Sequence, residues 1–110
     1  MRRDGQLAEQ RAQRYLESQG LKALAQNVHG RFGELDLVML DHPVVVFVEV
    51  KFRRSSGFGG ALGAVTAEKQ RKLRLTAEGY LQQQGWSQRP CRFDVLALDG
   101  NDINWIKNAF

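Results

Sequence analysis

The chain has 110 residues, of which 43% are hydrophobic and 25% are charged. This length and composition are typical of one folded domain, so we predict a single domain over residues 1–110 and exclude a disordered or low-complexity chain. Lysine and arginine outnumber aspartate and glutamate by 16 to 12, and the net charge of +4 suits a polyanion such as nucleic acid. Many small domains carry such a charge on a solvated surface, so the arrangement of charges must decide.

Membrane segments and cysteine chemistry are also excluded by the sequence. No apolar run approaches the roughly 18 residues that span a membrane, and the arginines near the start precede no apolar segment. We therefore expect a soluble, cytoplasmic protein with no membrane partner. The single Cys91 forms no internal disulfide, and His29 and His42 show no recognisable ligand spacing, so any metal would be bound by oxygen.

The first half of the chain predicts a helix followed by three strands. Apolar residues recur at helical spacing over residues 5–19, and Gly20 is a typical helix stop. These apolar residues are Leu7, Ala8, Ala12, Tyr15 and Leu16. Residues 21–28 predict a short edge strand. Residues 34–40 and 44–51 predict a hairpin, and its second strand is almost entirely β-branched or aromatic, which indicates a central position.

The second half predicts a loop, a helix and another hairpin. Residues 53–63 are rich in glycine and predict a mobile connection. Thr66 can cap a helix that continues to about Gln84 and stops at Gly85. Its predicted buried residues are Leu73, Ala77, Tyr80 and Leu81.

The closing hairpin completes the predicted topology. Residues 92–98 and 103–106 read as strands, and the turn between them includes Gly100. The predicted order is therefore α-β-β-β-α-β-β. We predict an α/β domain with a mixed β-sheet flanked by two helices.

The first hairpin carries acids that the predicted register brings together. Side chains alternate along a strand, which places Glu34 and Asp36 on one face. The opposite face then carries Leu35, Leu37 and Met39. With a loop over residues 41–44, Leu40 faces Val45, Asp36 lies opposite Glu49, and Glu34 lies opposite Lys51. Opposed acids in an apolar strand repel each other at a cost of order 1 kcal/mol, so a cation should compensate.

A hard divalent ion is one such cation. Mg²⁺ accepts one or two carboxylates and completes its coordination with water and phosphate, so Asp36 and Glu49 are candidate ligands. Lys51 shares the face of Glu49 and could orient the attacking water or stabilise charge on the phosphate. Alternatively, these residues form a solvated stripe in which Lys51 pairs with Glu34. The apolar run over residues 44–50 favours the functional interpretation.

Further polar residues accompany apolar helix faces. Glu9 flanks the apolar face of the first helix, and Gln70 shares the face of Leu73 in the second. Either a cation or water would satisfy Glu9. Basic residues near the second helix could form a surface that binds the phosphates of a nucleic acid or, equally, an ordinary solvated surface. The candidate phosphate contacts are Arg53, Arg54, Lys69 and Lys72.

Four segments carry a family resemblance. They are Glu9-x-x-Ala12-x-x-Tyr15-Leu16, Gly33-Glu34-Leu35-Asp36-Leu37-Val38, Val46-Phe47-Val48-Glu49-Val50-Lys51 with Arg53, and Asn108-Ala109-Phe110. The chain resembles the YraN family of bacterial proteins, which in turn resembles the PD-(D/E)xK nucleases, Holliday-junction resolvases in particular. Leu35 stands where the superfamily name has proline, as in many resolvase-like members.

The resemblance implies a fold and a set of roles. The fold would be a restriction-endonuclease-like core. Asp36 and Glu49 would be metal ligands, and Lys51 would be the catalytic lysine. Glu9 would be an accessory acid, and Gln70 a polar member of the same site.

We therefore expect a metal-dependent endonuclease that uses Mg²⁺ or Mn²⁺ to hydrolyse phosphodiester bonds in DNA, including branched DNA, with RNA as a less favoured substrate. One alternative is a non-catalytic module that binds nucleic acid or a partner protein. A purely structural domain would leave the acids and the lysine unexplained. Symmetric cutting of two strands would need a homodimer, for which Trp105 and Phe110 offer an interface if they are not part of the core.

Overall fold

The computed structural model describes residues 3–53 and 65–110, and in these ranges the chain forms two helices and five strands. Their order confirms the predicted α-β-β-β-α-β-β topology. The elements are α1 (Arg3–Ser18), β1 (Lys22–Gly30), β2 (Gly33–Asp41), β3 (Val44–Arg53), α2 (Ala67–Gln84), β4 (Cys91–Asp99) and β5 (Asp102–Ile106).

The strands form one mixed sheet in the order β1-β2-β3-β4-β5. Strands β3 and β4 are parallel, and the chain passes between them through α2, whereas the other neighbouring pairs are antiparallel. The predicted central position of β3 and edge position of β1 are confirmed. Strand β1 extends beyond the predicted residue 28, because His29 and Gly30 pair with Glu34 and Gly33.

The two helices cover opposite faces of the sheet, and each face has its own core. Helix α1 contributes Ala8, Ala12 and Leu16 to one core, whereas α2 contributes the four residues predicted to be buried to the other. Leu7, predicted on the apolar face of α1, is instead 52% exposed, because the core contacts begin at the next residue. This arrangement confirms a sheet flanked by two helices and agrees with a restriction-endonuclease-like core.

The ends of α2 follow the predicted capping. The Thr66 hydroxyl accepts a hydrogen bond from the Lys69 N–H at 3.2 Å, and Gly85 adopts a left-handed conformation with φ of 74°. Among the described residues, no helix is long and apolar enough to cross a bilayer.

The predicted alternation along β2 is wrong at one point. Leu37 and Met39 pack on the α1 side as a pair, but Leu35 packs in the core under α2. The break lies at Asp36, beside an irregular part of β1 in which the register shifts near Ala23 and Asn27 has a φ of 50°. Such irregularities increase the local twist of a sheet, and twist re-aims side chains between its faces.

The aromatic residues near the C-terminus belong to the core. Trp105 packs edge-to-face against Tyr15 with ring centroids 6.2 Å apart, and Phe110 stacks on Phe93 at 5.2 Å. Of the two alternatives for Trp105 and Phe110, packing within the chain is therefore the one that the structure shows.

Asp94 is a fully buried carboxylate that joins this end of the chain to β4. Its oxygens accept hydrogen bonds from the Trp105 indole at 2.9 Å, the Asn108 N–H at 2.9 Å and the Arg92 guanidinium at 3.0 Å. Arg92 in turn donates to Asp41 at 3.0 Å. One carboxylate thus satisfies donors from three positions.

We expect Asp94→Ala to lower the free energy of unfolding by about 3 to 5 kcal/mol, because it leaves two N–H donors without their acceptor and leaves Arg92 paired with one acid instead of two. Urea unfolding would measure the loss, and Asp102→Ala, in an exposed position of the next strand, should change stability by less than about 0.5 kcal/mol. If Asp94→Ala does not fold, Asp94→Asn should show a smaller loss. A loss below about 1 kcal/mol for both variants would contradict this role.

Candidate functional site

The site lies where β2 and β3 stop pairing. The predicted pair Leu40–Val45 is confirmed, and the paired residues end at Leu37–Val48. The Asp36 carboxylate accepts a hydrogen bond from the Val50 N–H at 2.9 Å. A side chain therefore takes the place that a backbone carbonyl would have in a continued ladder.

Two predicted cross-strand pairs are consequently not formed as backbone pairs. The ladder stops one step before Asp36–Glu49, because Asp36 uses its side chain to reach β3. The predicted pairing of Glu34 with Lys51 is wrong for the same reason, because the β2–β3 ladder has already ended at Leu37–Val48. On the other edge of β2, Glu34 pairs with His29 of β1. The His29 imidazole also lies 3.9 Å from the Glu34 carboxylate.

The acids and lysines nevertheless converge on one cavity of about 360 Å³. Residues from both helices and from both strands line it. They are Ala8, Glu9, Asp36, Glu49, Val50, Lys51, Phe52 and Lys69. The predicted convergence of Asp36, Glu49 and Lys51 is thus observed, and Glu9 lies at the same cavity.

Glu49 is the most buried acid of the cavity and contacts two ammonium groups. It is 7% exposed, and its Oε1 lies 3.1 Å from Lys69 Nζ and 3.8 Å from Lys51 Nζ. Lys69 was predicted to contact phosphates on the outer surface of α2. The structure instead directs it toward the acids, where it supplies the compensating cation.

The environment shifts the pKa values of three of these groups. Burial, reinforced by the negative charge of Glu49, raises the pKa of Asp36 to about 6, although the Val50 N–H and Lys69 oppose this change. Burial and contact with Lys69 lower the pKa of Lys51. For Lys69, burial acts to lower the pKa, but contact with Lys51 and attraction by Glu49 outweigh it and raise the pKa.

The remaining predicted residues are not among the described residues that line the cavity. The Gln70 side chain donates to the Val65 carbonyl at 3.1 Å, and Gln70 is not among the described residues that line the cavity. The preceding residue Lys69, whose side chain points about 100° away around the helix, lines the cavity. Lys72 is exposed, with Nζ 3.9 Å from Glu68. Arg54 and the side chain of Arg53 lie outside the described residues.

The oxygen ligands available for a metal are few. Within residues 3–53 and 65–110, no group of three or more histidine, cysteine or acidic side chains is placed to hold an ion. Asp36 and Glu49 together offer two carboxylates, which fits Mg²⁺ or Mn²⁺ because these ions retain several waters and need few protein ligands.

Lys69 is the cavity residue whose place at the acids was not predicted. Its sequence signal is its position three residues after the capping Thr66, in the first turn of α2. The first turn of a helix favours acidic residues, so a lysine there suggests a partner outside the helix.

We expect Asp36→Asn to leave the metal-free protein at pH 7 as stable as the parent, or more stable by about 1 to 3 kcal/mol. The folded pKa of Asp36, about 6, lies above its ordinary value of 3.8, so ionisation destabilises the fold. The parent should therefore lose stability as the pH rises from about 4 to about 6, and the variant should lose less. Urea unfolding in EDTA across this range measures both.

The same variant tests metal binding. Mg²⁺ or Mn²⁺ should raise the melting temperature of the parent, because a ligand of the folded state stabilises it, and this increase should vanish in Asp36→Asn. Asp102→Asn, at an exposed position, should behave like the parent in both measurements. A clearly destabilised metal-free Asp36→Asn, together with no metal effect on the parent, would mean that the carboxylate serves the fold.

Comparison with known proteins agrees with the resemblance of the motifs. The model of the uncharacterised protein family UPF0102, which is the YraN family, matches residues 8–98. A UPF0102 protein of Enterobacter sp. strain 638 is 54% identical over 108 residues, covering 96% of this chain and 82% of that protein. A UPF0102 protein of Shewanella frigidimarina is 54% identical over 106 residues, covering 96% of this chain and 97% of that protein. A UPF0102 protein of Pseudomonas putida strain F1 is 51% identical over 114 residues, covering 98% of this chain and 93% of that protein. The chain therefore belongs to the UPF0102 family.

Proposed function

We propose that this protein is a metal-dependent endonuclease of the cytoplasm that hydrolyses phosphodiester bonds in DNA. The observation that carries the proposal is the gathering of Asp36, Glu49, Lys51 and Lys69 around one cavity. Two acids and two lysines in a partly buried space suit the binding of a cation and of a phosphate. The family resemblance to PD-(D/E)xK nucleases supports the same assignment.

In this mechanism Asp36 and Glu49 would hold Mg²⁺ or Mn²⁺, and the ion would supply positive charge to stabilise the phosphate. Lys51 orients the attacking water through its ammonium group. Lys69 contacts Glu49 from α2 and adds positive charge where the phosphate enters. The water oxygen forms a bond to phosphorus and gives up a proton to solvent, while one ester bond breaks and the leaving sugar oxygen takes up a proton from solvent.

Three basic residues are the proposed contacts for the bound strand. Lys72 lies on the exposed surface of α2, three residues after Lys69, and Arg53 ends the strand that carries Glu49 and Lys51. Together with Arg54, these residues would contact phosphates on either side of the reacting one. Cutting two strands symmetrically would require two such cavities and therefore a homodimer.

A second candidate is a non-catalytic module that binds nucleic acid. The observation that favours it is the 3.1 Å contact between Lys69 and Glu49, because this lysine already neutralises the buried acid without a metal. Such a module would bind DNA through its basic residues and leave the phosphodiester bonds intact.

We expect the purified protein to cut linear, flapped or four-way DNA with Mg²⁺ or Mn²⁺, and Lys51→Ala to lower the single-turnover rate by about 10²- to 10⁴-fold. Lys22→Ala, an exposed lysine that pairs across from Leu40 at the other end of β2, should retain the full rate. Binding of DNA without cleavage by the parent would select the non-catalytic module. Cleavage that survives Lys51→Ala would contradict the assigned role.

Salt dependence tests the proposed phosphate contacts. Each lost contact with duplex DNA should reduce the slope of log affinity against log salt by about 0.9, so Lys72→Ala should reduce it by about one unit and the double variant Arg53→Ala/Arg54→Ala by about two. Fluorescence anisotropy at several salt concentrations measures the slope, with Lys22→Ala as the control. An unchanged slope would place the DNA on another surface.

A further inference from the structure

We propose that the turn between β1 and β2 binds an unpaired nucleobase, with Phe32 as the stacking surface and Arg31 beside the adjoining phosphate. The inference rests on the proposed function in that it assumes a nucleic acid at the cavity, and it adds a substrate class. Inside a duplex the faces of the bases are already stacked on each other, so away from duplex ends only an unpaired base can stack on a protein ring.

The first observation is an aromatic ring presented to solvent beside a cation. Phe32 is 44% exposed, and the Arg31 guanidinium carbon lies 5.6 Å from the centre of its ring. The turn and α2 together line a cavity of about 200 Å³, and Tyr80 contributes to its wall. Arg31 covers one face of the ring, so a base would stack on the opposite face while the guanidinium contacts the phosphate, the combination that binds single strands.

The second observation is that packing holds this turn in place. Gly30 lies so close to α2 that a Cβ atom there would be 2.9 Å from Cγ2 of Thr76, so the turn and the helix are in direct contact. Gly33 follows with a φ of 153°, which side chains rarely allow. A ring held by such a turn needs little further ordering when it binds a base.

The third observation is the position of the turn relative to the cavity. Gly33 precedes Asp36 by three residues, about 10 Å along β2. Strand β3 runs antiparallel to β2, so Phe52, which is 40% exposed and lines the cavity, lies at the same end of the sheet. A strand that reaches from the cavity to Phe32 would span few nucleotides, within the roughly 4 to 16 that small single-strand-binding domains cover.

Charge favours a nucleic acid over an apolar protein partner on this turn. Arg31 lies over the Phe32 ring, and the whole chain has a net charge of +4. An apolar partner would bury the arginine without supplying an anion, which is unfavourable. A nucleotide supplies both the ring and the anion.

The experiment measures binding in EDTA, so that cleavage plays no part. Fluorescence anisotropy compares a labelled single strand of about 12 thymidine nucleotides with a labelled blunt duplex. A strand of this length falls within the range that one single-strand-binding domain covers. Phe32→Leu keeps an apolar side chain but removes the ring, Phe32→Trp keeps a ring, and Arg31→Ala removes the cation. Arg89→Ala is the matched control, because Arg89 also lies over a ring, that of Trp86 at 4.7 Å, near the start of β3 at the other end of the sheet.

We expect Phe32→Leu to weaken single-strand binding by about 5- to 100-fold and to leave duplex binding unchanged, because stacking is lost only for unpaired bases. Phe32→Trp should bind as the parent does or more tightly, Arg31→Ala should bind the single strand more weakly, and Arg89→Ala should be unchanged. Thermal unfolding verifies that each variant is folded.

Equal losses on single strand and duplex, full binding by Phe32→Leu, or no single-strand binding by the parent would each overturn the inference. These outcomes are separate from the test of the proposed function. If cleavage depends on Lys51 but Phe32→Leu binds single strands as the parent does, the proposed nuclease function stands and the base site is refuted. If single-strand binding depends on Phe32 but the parent cleaves no DNA, the base site stands and the proposed nuclease function is refuted.

Discussion

The hydrogen bond from the Val50 N–H to the Asp36 carboxylate is the interaction on which the site depends. It ends the backbone ladder between β2 and β3 and leaves a carboxylate between them. Because the strands stop pairing there, the side chains of Glu49 and Lys51 can share a cavity with Asp36 instead of lying along a closed sheet. The bond also holds the Asp36 oxygen in a partly buried place, where burial raises its pKa to about 6.

Charge balance in this cavity comes from residues far apart in the chain. Two acids from the sheet meet one lysine from β3 and another from the first turn of α2. Buried acids without such partners would be costly, so Lys69 stabilises the fold around Glu49 while it adds positive charge at the proposed phosphate site. A metal at the two carboxylates would share Glu49 with Lys69, which couples the position of α2 to the binding of the ion.

The topology explains why these groups meet at one end of the sheet. The start of β2 and the end of β3 lie side by side because the two strands are antiparallel, and α2 is the next described element after β3. The first turn of α2 therefore begins near the acids, and α1 places Ala8 and Glu9 across the same cavity. The β1–β2 turn with Phe32 belongs to this end as well. At the far side of β4, Asp94 holds the C-terminal residues through hydrogen bonds that are independent of the site.

The sequence by itself determined the order of the elements, the ends of α2, the Leu40–Val45 register and the grouping of Asp36, Glu49 and Lys51. These features depend on period-two patterns, capping residues and neighbours in one hairpin, all of which are local. Tertiary structure alone decided that Lys69 and not Gln70 reaches the cavity, because a one-residue difference on a helix is a rotation of about 100° that only packing fixes. Tertiary structure also decided where the alternation of side chains along β2 breaks, at Asp36, and which three groups donate hydrogen bonds to Asp94. Both features depend on residues that come from different strands.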